Sequence, residues 1–88
     1  MHYSRMGMKE ELLKNKVATV ADIGVAIRKK RKADGLTLAD AAGLCGVGYR
    51  FMSDLENGKE TVQVGKVLKV LTALGLEMTI AARNWPNE

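Results

Sequence analysis

Apolar positions recur at helical spacing in four stretches of this chain and then switch to a spacing of two, and each stretch marks an element. Ile23, Ala26 and Ile27 recur at helical spacing behind a cap at Asp22, or at Thr19 upstream, and Gly35 marks the end of that helix. Thr37 caps the next helix, Asp40 stands in its first turn, and Ala41, Ala42 and Cys45 give it a small apolar stripe. Gly46 ends it and Val47 plugs the turn from inside. A third helix runs from near Gly48 to about Asn57, with Met52 and Leu55 inward, and Gly58 stops it. Val64, Val67, Leu68, Leu71 and Leu74 then predict an amphipathic helix closed by Gly75, which lids the core.

Beyond Gly75 the spacing drops to two. Leu76, Met78 and Ile80 alternate with Glu77, Thr79 and Ala81, which predicts a strand. A lone strand in a helical domain leaves unpaired N–H and C=O groups, so a two-fold copy is the expected partner, and Leu76, Met78 and Ile80 are the expected dimerisation residues. The alternative is a frayed tail whose Leu76 and Ile80 cap the core. Residues 1–19 are polar, and Met8, Leu12 and Leu13 provide at most one turn of apolar surface. The resulting division is an arm at 1–19, partly ordered at best, a helical domain at 20–75, and a dimerisation strand and tail at 76–88.

Two short helices joined by a tight glycine turn, spanning Gly35 to Lys59, offer one exposed helix face to a duplex. That face carries Tyr49, Arg50, Ser53 and Asp54. An arginine fork matches guanine O6 and N7, a tyrosine reaches phosphate or a thymine methyl, a serine contacts base or phosphate, and an aspartate accepts from cytosine N4. Phe51 either packs on the next helix or touches the nucleic acid. Phosphate positioning is expected from Thr37 at a helix start, from Arg28 and Lys32, and from the Asn57-Gly58-Lys59 turn. For each side chain the bland alternative is simple solvent exposure.

The residues Ile27, Arg31, Gly35-Leu36-Thr37, Ala42, Gly46-Val47 and Leu55-Glu56-Asn57-Gly58 resemble the helix-turn-helix of the phage-repressor-like, or xenobiotic-response-element, family over roughly Ile23 to Leu74. The resemblance implies a mainly α, lambda-repressor-like bundle that binds operator DNA. It also implies that Arg31 and Glu56 form a structural salt bridge. Leu74 to Ile80 resembles the strand that follows the helices in HipB-type antitoxins. From that subgroup come the expectations of autoregulation and of a HipA-type kinase toxin as partner, while the two-fold pairing of the alternating strand in a homodimer predicts an inverted-repeat operator. Two positions depart from the pattern: Gly48 replaces the usual Ser or Thr cap, and Ala41 is smaller than the frequent Leu. The competing readings are a stand-alone regulator without a toxin and a protein-interaction module whose DNA binding is vestigial.

Composition narrows the choice only in part. A chain of 88 residues can hold one domain, and a domain this small buries only about 60% of its unfolded surface, so dimerisation would help it. The formal charge of +4 favours an anionic partner, and the run from Arg28 to Lys32 concentrates it. That run wraps more than one helical turn, so only two or three of its cations can meet one groove. The single cysteine, Cys45, reads as a small core residue in a reducing cytoplasm, and no apolar stretch is long enough to span a bilayer. His2 is the only histidine, no Cys/His spacing suits a metal, and no glycine-rich loop follows a strand. No enzyme, metal or cofactor is expected. Trp85, in a short polar tail, either folds back on the domain or anchors a partner's pocket, the expected toxin contact.

Overall fold

Thr19 starts the first helix by reciprocal capping: its hydroxyl accepts from the Asp22 N–H, while the Asp22 carboxylate accepts from the N–H groups of Thr19 and Ala18. These bonds hold the Asp22 pKa below the usual carboxylate range. The computed structural model describes residues 16–82. Within them run α1 (Val20–Ala33), α2 (Leu38–Cys45), α3 (Tyr49–Glu56) and α4 (Val64–Ala73). Thr37 and Asp40 repeat the same capping box at α2, whereas Gly48 and Gln63 give α3 and α4 no side-chain cap.

All four helices end in one motif. A glycine at positive φ follows the last turn at Gly35, Gly46, Gly58 and Gly75. Its N–H and the next residue's N–H fold back on carbonyls of the last turn, as Gly75 does on Thr72 and Leu76 on Leu71. At three of the ends the residue after the glycine is apolar and packs on the core: Leu36, Val47 and Leu76. At α3 it is Lys59.

The core joins Ile27 of α1, Ala41, Ala42 and Cys45 of α2, Met52 and Leu55 of α3, and Val67, Val70, Leu71 and Leu74 at the α4 end. α1 lies directly on the end of α3: a Cβ at Gly24 would stand 2.4 Å from the Leu55 carbonyl oxygen. Phe51 packs partly against the core and under the Lys66 ammonium, 5.5 Å from its ring centre. Burial pushes the Cys45 thiol pKa up, as befits a small core residue.

One expectation changes. The apolar face of α4 was expected to include Val64 and Leu68, yet both are exposed and Val70 is fully buried. Apolar residues cover a wide arc of this helix, so spacing alone selects two overlapping stripes, and α2 takes the one containing Val70. The segment 76–82 has no strand pairing in the single chain. Leu76, named both for the dimer strand and, in the alternative, as a cap of the core, packs partly on its own core because the Gly75 turn directs it back over Leu71. Met78 and Ile80 remain exposed.

Candidate nucleic-acid interface

The outer face of α3 is set by its buried one. Met52 and Leu55 are fully enclosed, which leaves Tyr49 and Arg50 projecting and Ser53 and Asp54 at the margin. Arg50 is the most open, with 87% of its side chain accessible. Ser53 Oγ accepts from Asn57 Nδ2 at 3.5 Å. The Asp54 carboxylate, 26% accessible, lies between two cations, 3.7 Å from Arg50 Nε and 3.5 Å from Lys59 Nζ. Arg50, Asp54 and Lys59 therefore form one cluster at the outward edge of α3.

A second cluster fixes this face relative to α2. Arg31 donates from Nε to Glu56 Oε2 at 2.6 Å and from Nη2 to Glu56 Oε1 at 3.0 Å. Its Nη1 donates to the Leu36 carbonyl at 2.9 Å, immediately before the Thr37 cap. Burial is high on both sides, with side-chain accessibilities of 12% and 7%, and the paired carboxylate raises the Arg31 pKa. One guanidinium thus ties α1, the start of α2 and the end of α3. The start of α2 is an anion-favouring end, and the Thr37 hydroxyl, while accepting from the Asp40 N–H, still has its own proton to donate.

The cationic run divides by direction. Arg31 is committed to Glu56, and Lys30 reaches Asp34 at 2.6 Å, whereas Arg28, Lys29 and Lys32 stay exposed. Arg28 and Lys32 are four residues apart and share a face. In the turn after α3, the N–H groups of Asn57, Gly58 and Lys59 are all taken by carbonyls of that helix. Gly58 is half-buried, and a Cβ there would meet Ala21 Cα at 2.9 Å. An anion at this turn would therefore meet the Asn57 and Lys59 side chains, with the three amides already engaged.

Sequence reading passed over Lys66 and Lys69. Both are exposed on α4; Lys66 covers Phe51 of α3, and Lys69 donates to the Gly46 carbonyl at 3.1 Å in the turn between α2 and α3. Their spacing of three beside a buried stripe was the available signal, obscured by treating α4 as a lid. Trp85 lies outside the described residues, as does most of the expected arm at 1–19. No helix among the described residues is long and apolar enough to cross a membrane.

Comparison with known proteins agrees with this geometry. A family model described as a helix-turn-helix domain matches residues 22–82. An uncharacterized HTH-type transcriptional regulator of Sinorhizobium fredii is 49% identical over 67 residues, covering 76% of this chain and 88% of the relative. Among solved structures, a HipB–O2 20mer complex superposes with a TM-score of 0.70 at 25% identity, over 78% of this chain and 96% of the other. A HipB–O4 20mer complex gives a TM-score of 0.70 at 23% identity, over 78% and 97% of the respective chains. The glycine-turned pair α2 and α3 falls wholly inside the matched segment, and the chain belongs to the helix-turn-helix domain family.

Proposed function

We propose that the protein is a dimeric, sequence-specific repressor that lays α3 in the major groove of an operator. The observation that carries this reading is the projection of Tyr49 and Arg50 from a helix whose opposite face is locked into the core. Arg50 reads guanine, and Tyr49 and Ser53 contact neighbouring base edges or phosphate. Thr37 with the start of α2, Arg28, Lys32, Asn57 and Lys59 position the backbone, while Gly58 shapes the turn that presents Lys59. Exposed Val64, Leu68, Met78 and Ile80 supply apolar surface for a second copy.

The test is a titration of duplexes with the purified protein over a range of salt concentrations. The reading expects one sequence to be bound more tightly than a scrambled duplex, with affinity falling linearly on logarithmic axes as salt rises. Absence of any duplex binding would favour the protein-interaction module.

A finer reading is that the chain acts as a HipB-like antitoxin, repressing its own operon and binding a HipA-type kinase toxin. Its support is the likeness to the HipB complexes at 25% identity. Trp85 would be the anchor, since tryptophan in a partner's pocket often dominates interface energy. Proteins recovered with the tagged chain from its native host decide this: a kinase among them supports the antitoxin, and recovery of DNA alone favours a stand-alone regulator.

A further inference from the structure

We propose that Asp54 sets the sequence selectivity of α3 by positioning Arg50 and Lys59, not by touching a base itself. The proposal rests on the DNA-reading role given to α3.

The pair is badly placed for helix stability. Arg50 lies in the first turn of α3 and Asp54 in its last, so each charge meets the unfavourable end of the helix dipole. Their i,i+4 order, cation before anion, is the weaker one. A helix-stabilising pair would be reversed. The end of α3 also breaks the rule of the other three: where Leu36, Val47 and Leu76 lay an apolar contact over the last turn, Lys59 lays an ammonium 3.5 Å from Asp54. Position dictates that contact, because the Lys59 N–H bonds to the Asp54 carbonyl at 3.0 Å.

The carboxylate is the more enclosed member. Asp54 is partly buried while Arg50 is almost fully open. The carboxylate's ion contact falls on Arg50 Nε, at 3.7 Å, and leaves the terminal nitrogens free for O6 and N7 of a guanine. The second oxygen holds Lys59 beside the helix end, where a phosphate would pass. At a duplex lacking the guanine, the same carboxylate repels the phosphates and no base hydrogen bonds compensate. Asp54 thus lowers affinity for every sequence and lowers it least for the right one.

The experiment measures dissociation constants of the full chain for its selected duplex and for a scrambled one, using wild type, Asp54→Asn, Asp54→Glu, Arg50→Ala and Arg50→Ala with Asp54→Asn. Asp54→Asn should tighten the scrambled duplex and reduce the selected-to-scrambled ratio roughly tenfold. Asp54→Glu keeps the charge but displaces it, so it should reduce the ratio without tightening the scrambled duplex, which keeps the test open if the Asn variant misfolds. In the Arg50→Ala background, adding Asp54→Asn should leave the ratio unchanged. An unaltered ratio in the single variants, or an equal fall without Arg50, overturns the proposal. A wild type that selects no sequence overturns the DNA reading as well, and so separates the two failures.

Discussion

Arg31 and Glu56 hold each other through two parallel hydrogen bonds of 2.6 and 3.0 Å across the contact between α1 and the end of α3. Because the same guanidinium also holds the Leu36 carbonyl, the pair fixes the start of α2 and the end of α3 together. The separation between the start of α2 and the outward face of α3 is thereby set by a residue outside both.

Removing either partner leaves a buried charge alone. Arg31→Ala or Glu56→Ala should each lose about 3–5 kcal/mol, a large share of the stability of a domain this small. Replacing both by apolar residues of similar volume should lose less. Urea unfolding of the three variants checks the order; single variants as stable as wild type would mean the pair contributes little.

Gly24→Ala tests the closeness of α1 and α3. The added Cβ would meet backbone atoms, Leu55 O at 2.4 Å and Glu56 O at 2.8 Å, and backbone cannot rotate away. A loss of about 1–3 kcal/mol is expected, with duplex affinity falling as well because the end of α3 is displaced. Thermal melting and a duplex titration of the same preparation read both.

Asp22 gives the fold a pH dependence of definite sign. Its folded pKa is lowered by N–H donors, so its contribution is complete above the unfolded carboxylate value, about 3.9, and is lost as pH falls through the lower folded value. Asp22→Asn should melt below wild type at neutral pH, and the gap should close on acidification below about pH 4. A gap constant from pH 7 to pH 2.5 would contradict the cap's charge.

Glycine stops and the Thr37 cap were legible in the chain because each acts within one turn, whereas at the first helix the cap is Thr19, and Asp22, the first candidate, stands at the third helical position and completes the capping box. The outward set on α3 was legible too, since Met52 and Leu55 define it by period. What spacing could not resolve were choices made by distant neighbours. Whether Val64 or Val70 faces in depends on where α2 lies. Leu76 packs partly on its own core because the Gly75 turn aims it there, a contact that alternation by itself does not reveal.

Arg50 and Lys59 should fail differently. Arg50→Ala should lose roughly 1–3 kcal/mol of preference at one base position per half-site with the fold intact, since the side chain is exposed. Lys59→Ala should weaken selected and scrambled duplexes about equally and flatten the salt slope by about one unit. Base preference unaffected by Arg50→Ala would remove that residue as a reader.

Removal of residues 78–88 keeps Leu76 in its core position while deleting exposed Met78 and Ile80. Sedimentation should then show monomers at concentrations where the full chain is dimeric, with little change in helical content. A persistent dimer would place the two-fold contact on the α4 face of Val64 and Leu68 instead.

The most direct test of α3 as a paired sequence reader is sequencing of the duplexes that the purified full chain retains from a random pool. One inverted repeat should emerge, with half-site centres separated by about one helical turn, roughly 34–36 Å, or a multiple of it. A pool that stays random, or enrichment of a single unrepeated site, would contradict it.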